Sequence, residues 1–265
     1  MNNLRDKVIW ITGASSGIGE ALAILCAKEG ARLVLSARRE EELRRVSERT
    51  GLPERDVLVL PFDLADTSKA TGFAAQVMNH FGRIDILVNN GGVSQRSAVG
   101  DTEEKTERHL MEVNYFAQVN LARAVLPYML RQKTGKFVVM SSIAGKFGFF
   151  LRSTYSAAKH ALHGYFDSLR LEYEKKGISV LLVCPGKIRT QVSLNAVTGN
   201  GSAHNAMDPS HQGAMSADEC AARIIKAVRS GEDETLIGGK EIIMVHLRRF
   251  FPVLFKRLIR RQSPF

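Results

Sequence analysis

Cysteine is scarce in this chain, with three among 265 residues. Cys26, Cys184 and Cys220 stand far apart in apolar or helical surroundings, without the spacing of a metal-ligand set. That argues against a disulfide frame or a zinc site and for small core residues in a reducing compartment. Internal repeats and low-complexity linkers are absent, so a single domain is expected. The chain passes from Met1 straight into a strand-like run, with neither the apolar core of a signal peptide nor a membrane anchor. A cytoplasmic protein is the expectation. Acidic residues are missing from Ile242 onward, while Arg248, Arg249, Lys256, Arg257, Arg260 and Arg261 are basic. Six of the ten net positive charges therefore lie in this tail, and the body is only mildly basic. An excess so placed, without a nucleic-acid motif, argues against a nucleic-acid partner.

What is present is enough apolar residue, 45% of the chain, to bury a sizeable core. Short apolar runs at 7–11, 32–36, 57–60, 84–88, 137–140 and 178–183 have the character of buried parallel strands. Helical patterns lie between them, at 20–27, 40–49, in a segment ending at Phe81, at 103–131 and at 155–171. This alternation predicts an α/β fold: a single-domain, Rossmann-like, doubly wound parallel sheet with helices on both faces. Ligands then bind beyond the carboxyl ends of the strands. Residues 1–239 are expected to form that domain, including an irregular stretch at 191–215 long enough to be a lid. Residues 240–265 form a basic amphipathic tail.

The first strand runs into Thr12-Gly13-Ala14-Ser15-Ser16-Gly17-Ile18-Gly19 and then a helix. Strand, glycine-rich turn and helix in succession make a phosphate site, because backbone can approach the anion and the helix offers free N–H groups. Gly13, Ser15, Ser16, Gly17, Ile18 and Gly19 are its candidates. The second strand ends in Arg38 and Arg39 where an NAD enzyme carries an acidic group, so NADP(H) is expected, with Arg38 on the 2′-phosphate. The alternative is that both arginines only solvate the loop. Asp63 and Leu64 follow the third strand, with the carboxylate placed for an adenine amino group. Asn90 and Gly91 lie in the glycine-rich turn after the fourth strand. Tyr155 and Lys159, four apart on a helix, share a face. An ammonium beside a phenol lowers its pKa from about 10 toward the range of a general acid–base. Ser142, after the fifth strand, can hold a carbonyl oxygen beside the tyrosine. Asn114 is either a satisfied core amide or a functional polar group.

Taken together, Thr12–Gly19, Asn89-Asn90-Gly91-Gly92, Asn114, Ser142, Tyr155-Ser156-Ala157-Ala158-Lys159 and Pro185-Gly186 resemble the short-chain dehydrogenase/reductase family in order and spacing. The resemblance runs from Lys7 to about Gly239. It implies a catalytic tetrad of Asn114, Ser142, Tyr155 and Lys159. Pro185, Gly186, Ile188 and Thr190 join the cofactor contacts, as do Tyr155 and Lys159. Where the family usually has Asn-Asn-Ala-Gly, this chain has Gly91 in place of alanine. A narrower resemblance, to the dehydrogenase/reductase member 7 and 7B branch, lies in Ser141–Lys146, Ser193–Ala196 and the basic C-terminus. That branch is membrane-associated and linked to lipid-like, steroid or retinoid carbonyl compounds.

The expectation is an NADPH-dependent carbonyl reductase, reversible as an alcohol dehydrogenase, on a hydrophobic substrate. Residues 147–151 (Phe-Gly-Phe-Phe-Leu) and the lid supply an apolar pocket. The competing class is a non-enzymatic NADP(H)-binding scaffold or sensor at a membrane. A homodimer or homotetramer is expected. In the tail, Leu247, Phe251, Leu254 and Leu258 recur at helical spacing, and Pro252 is expected to start a second helix or kink the first. The tail is too short and charged to span a bilayer. It can lie in the interface of an anionic membrane, or pack on the body or a partner subunit.

Overall fold

The computed structural model describes residues 3–192, 194–206 and 213–262. Seven parallel strands form the central sheet: β1 (Val8–Thr12), β2 (Arg32–Ser36), β3 (Val57–Val59), β4 (Ile86–Asn89), β5 (Gly135–Met140), β6 (Ile178–Pro185) and β9 (Glu234–Ile237). Their order across the sheet is β3-β2-β1-β4-β5-β6-β9. A two-stranded pair of β7 (Ile188–Arg189) and β8 (Met215–Ser216) lies apart from it. Every residue of β1 is buried, as a strand covered on both faces must be.

Side chains alternate across the sheet and feed two cores. Ile9, Ile11, Leu33 and Leu35 point to one face, against Leu22 and Ala23 of α1 (Gly17–Lys28), Leu43 and Val46 of α2 (Glu40–Thr50), and Ile224 and Val228 of α7 (Ala217–Ser230). Val8, Trp10 and Val34 point to the other. There they meet Ala74 and Val77 of α3 (Ala70–Phe81), Leu121 and Val125 of α5 (Ala117–Gln132), and Leu162 and Phe166 of α6 (Ser153–Tyr173). From β1 the chain winds outward to β3 and then returns to β4 on the other side. A crevice opens where the winding reverses, between the ends of β1 and β4.

Two departures from the sequence pattern shape the site. The expected helix over 103–131 is not continuous. It consists of α4 (Glu104–Met111), a π-turn at Glu112–Phe116, and α5. The Asn114 amide donates to the Leu110 carbonyl, one turn back, at 3.0 Å. A side chain inserted in the i→i−4 ladder accompanies the widened turn. The tail forms α8 (Ile243–Phe250) and α9 (Pro252–Arg260), with Pro252 at the first position of α9 as expected. Its anticipated stripe of Leu247, Phe251, Leu254 and Leu258 does not hold. The break at Phe251 resets the helical phase, so Phe255 is buried against Phe147 and Ile143 while Phe251 and Leu254 stay exposed.

The glycine at position 91 has a packing reason. A Cβ there would stand 2.3 Å from Leu64 Cδ1. The leucine reaches into the space an alanine methyl would fill. Gly91 has no positive φ, so alanine is opposed by space alone. Gly91→Ala is therefore expected to cost about 1–3 kcal/mol, an overpacking penalty. In a Leu64→Val background the cost should fall below about 1 kcal/mol, because the two sites share one void. Urea unfolding of the four proteins checks the coupling; equal costs in both backgrounds would contradict it.

Candidate active site

Of the residues singled out for catalysis and cofactor binding, all but Gly19 line one cleft of about 1180 Å³ at the carboxyl ends of the strands. Gly19 serves the turn itself. A Cβ there would lie 2.2 Å from the Gly13 carbonyl oxygen, so only glycine lets α1 start this close to β1. Gly13 and Gly17 take left-handed φ values of 64° and 58°. A Cβ on Gly13 would come within 2.8 Å of Gly91 Cα. Thr12 and Asn90 stitch the two turns together. Thr12 Oγ1 accepts from the N–H groups of Asn90 and Gly91, both at 3.0 Å. The Asn90 amide donates to the Thr12 carbonyl at 2.9 Å and the Gly13 carbonyl at 3.2 Å. Asn90 thus shapes the turn with its side chain.

At the start of α1, Ser16 makes no side-chain capping bond, so the first N–H groups of the helix carry no cap. Helix dipole and free donors favour an anion there. Arg45 and Arg49 pair with Glu20. Arg38 and Arg39, exposed on the cleft rim, form no ion pair with a described residue. Asp63 holds the turn that follows it, accepting from the Ala65 N–H at 2.9 Å.

The second half of the cleft carries the polar cluster. Tyr155 is the third residue of α6, and the Ser142 side chain acts on its hydroxyl from the end of β5. Ser142 Oγ also accepts from the Ala144 N–H at 3.1 Å, which fixes its rotamer at the end of β5. Lys159 is 3% exposed and donates to the Met140 carbonyl at 2.7 Å. Its Nζ stands 5.7 Å from the Tyr155 ring centroid. Asn114 accepts from the Val93 N–H at 3.1 Å and donates to the Val93 carbonyl at 2.9 Å. A Cβ on Gly92 would come within 2.7 Å of Asn114 Oδ1, so the loop after β4 needs glycine there.

Electrostatically the cluster differs from the sequence expectation. Burial pushes the Tyr155 phenol above its ordinary value, and the Ser142 hydrogen bond, Arg152 and Arg96 pull it back only in part. Burial depresses Lys159 to about 8, and its ammonium donates to the Met140 carbonyl.

The walls are mixed. Phe149, Phe150, Leu151, Val113 and Met244 line the cleft, together with Arg96, His109 and Arg152. Phe147, expected among the aromatic lining, is instead fully buried between Phe149 and Phe255. Leu151 has a φ of 60°, a conformation leucine rarely adopts, and its carbonyl accepts from the Ser97 N–H. Of the expected lid, Ser193 and residues 207–212 lie outside the described residues. The part at 194–205 is docked, with Val197 exchanging backbone hydrogen bonds with Ser94 and Arg96.

Two residues that sequence reasoning missed hold the site in place. Gln95 is fully buried, and its Oε1 accepts the Tyr155 N–H at 3.1 Å, capping α6 where Arg152 supplies no side-chain cap. Its amide reaches Ser97, Thr102 and Ser153. Glu241, placed by the sequence in the tail, lines the cleft and accepts from the N–H groups of Lys187 and Gly239. Burial acts to raise its pKa, but these bonds hold it below the ordinary value. Neither residue belongs to a periodic pattern, so no sequence signal marked it.

A parallel sheet with a glycine turn at its switch point and a Tyr–Lys–Ser cluster beside it matches comparison with known proteins. The family model for short chain dehydrogenases matches residues 7–200, and the chain belongs to the short-chain dehydrogenase/reductase family. It is therefore an oxidoreductase of a family that binds a nicotinamide dinucleotide. The chain is similar to dehydrogenase/reductase SDR family protein 7-like of Drosophila melanogaster, at 41% identity over 96% of this chain and 79% of that one. It is 42% identical to human dehydrogenase/reductase SDR family member 7, over 94% of this chain and 75% of that protein. Member 7B of Bos taurus is 39% identical over 97% and 81% of the two chains. A crystal structure of a short-chain dehydrogenase from Streptomyces avermitilis superposes with a TM-score of 0.82 at 30% identity, covering 97% of this chain and 98% of that one. The uncapped α1 start and the glycine cradle, which a Cβ would fill, fit a dinucleotide's phosphates.

The depressed lysine makes stability depend on pH. Its folded-state pKa of about 8 lies below the ordinary 10.5, so in that window the unfolded chain holds the extra proton. Stability should therefore rise with pH through that window, by on the order of 1–3 kcal/mol. In Lys159→Met this rise should vanish. Denaturant unfolding of both proteins between about pH 7 and pH 10 measures it; parallel pH profiles would show that Lys159 is not buried as a cation.

Proposed function

We propose that this protein is an NADPH-dependent carbonyl reductase, able to run in reverse as an alcohol dehydrogenase, for a hydrophobic carbonyl substrate. The observation that carries this is the Ser142–Tyr155–Lys159 cluster, with Lys159 buried and the other two half-buried, facing the same cleft as the glycine turn. Gly13, Ser15, Ser16, Gly17 and Ile18 hold the phosphates, and Arg38 holds the 2′-phosphate through charge-assisted hydrogen bonds. Asp63, Leu64, Asn90 and Gly91 flank the adenine side, while Pro185, Gly186, Ile188 and Thr190 flank the nicotinamide side. When bound, the dinucleotide supplies the hydride.

The chain's own residues position the carbonyl and move the proton. Ser142 Oγ, fixed by the Ala144 N–H, holds the carbonyl oxygen where negative charge develops. Tyr155 keeps its proton at neutral pH because burial raises its pKa, and this suits the donor in the reducing direction. Lys159 grips the cofactor ribose and stabilises the phenolate that forms. Asn114 positions a water that relays protons to solvent, and its own amide, engaged by Val93 and Leu110, is held by the π-turn. The alternative, a non-enzymatic NADP(H)-binding scaffold, leaves the tetrad side chains without a purpose. Assembly as a homodimer or homotetramer belongs to the same proposal.

A screen of ketones and aldehydes, weighted toward lipid-like compounds, against NADPH oxidation tests the activity. Small polar substrates with the best kcat/KM would contradict the hydrophobic pocket, and no turnover on any carbonyl would favour the scaffold. Arg38→Asp should weaken NADPH binding by roughly ten- to a hundredfold, the loss of one charge-assisted contact, and shift preference toward NADH. Isothermal titration with both cofactors measures this. Equal wild-type affinity for NADH and NADPH would contradict the role of Arg38.

A further inference from the structure

The helices α8 and α9 close one wall of the cleft and leave their other side bare. On the inner side Phe255 is 6% exposed and packs on Phe147 at 5.0 Å between ring centroids, with Leu247 and Ile259 beside it. Met244 and Gln262 face the cleft. On the outer side, at the corner between the helices, Phe250 is 64% exposed, Phe251 61%, Val253 66% and Leu254 45%. Ile243, two helical turns before Phe250, joins the same face at 56%. Few folded proteins leave five large hydrophobics clustered and uncovered without an occupant.

The charge around this corner indicates which occupant. Arg248 and Arg249 precede it, and Lys256, Arg257 and Arg260 follow on the next turns of α9, all exposed. From Ile242 onward there is no acidic side chain to neutralise them. A second copy meeting this face across a two-fold axis would set cation against cation. A purely apolar protein groove would leave the cations unsolvated. An anionic bilayer satisfies both features, taking phenylalanines at the acyl boundary and cations at the phosphates. Among the described residues no helix is long and apolar enough to cross a membrane, so the contact lies on the surface.

We propose that the α8–α9 corner is a docking surface for an anionic lipid bilayer, holding this wall of the cleft against the membrane. The surface goes beyond carbonyl reduction and does not depend on it. Cosedimentation of the full chain with vesicles of phosphatidylcholine alone, and of phosphatidylcholine mixed with phosphatidylserine, tests it. Wild type should partition onto the mixed vesicles and be released by salt. Two double variants address the two features separately: Phe251→Asp with Leu254→Asp, and Arg257→Glu with Arg260→Glu. None of the four residues lines the cleft, and thermal melting shows whether each variant is folded. Each should lower partitioning by about tenfold or more. No partitioning of wild type onto anionic vesicles, or partitioning that both folded variants retain, overturns the proposal. So does light scattering that shows a wild-type oligomer broken into monomers by the aspartates, which assigns the corner to a second copy. NADPH oxidation with a water-soluble aldehyde, followed in the same proteins, reports separately on the enzymatic proposal.

Discussion

The site depends on one close contact, between the turn after β1 and the turn after β4. Those strands are neighbours in the sheet but far apart in sequence, and the cleft exists because the chain winds away from both in opposite senses. Thr12 and Asn90 join the turns with four hydrogen bonds, and Gly13, Gly19 and Gly91 let the backbones meet where any Cβ would collide. The phosphate cradle at the start of α1 is a consequence of that contact, because the helix can begin only where Gly13 and Gly19 allow it.

The chemistry rests on a second constraint, the burial of Lys159 beside the half-buried Tyr155. A lysine nearly out of solvent needs a partner, and the Met140 carbonyl at the end of β5 provides one. The helix bearing both residues is held at its start by Gln95, and Glu107 of α4 accepts from the Thr154 hydroxyl at 3.1 Å. Gln95 also forms a bridge with Val197 in the described part of the expected lid. Through this one amide, the segment over the cleft and the start of the catalytic helix share a support.

Much of this was legible in the sequence because it is local. The glycine turn, the Tyr155–Lys159 spacing and the apolar strands each declare themselves within a dozen residues. What escaped depends on contacts between distant segments. The π-turn at Glu112–Phe116 hides inside a continuous helical pattern, since an amide inserted into the ladder leaves hydrophobic spacing almost unchanged. Gln95 lies just past a recognisable turn and draws its role from Tyr155, sixty residues on. The phenol's raised pKa reflects burial, which spacing alone does not report and which outweighs the expected lowering. In the tail, Pro252 was visible as a break, but the rotation it imposes on Phe255 follows from packing against Phe147.

The central claim is that Tyr155 donates the proton in a site otherwise able to hold its cofactor. Tyr155→Phe removes one hydroxyl and no bulk. NADPH affinity by titration and carbonyl turnover, measured on the same protein, separate the two roles. The account predicts an affinity close to wild type and turnover reduced by at least about a hundredfold. Near-normal turnover in the variant would contradict it and assign the proton to another group.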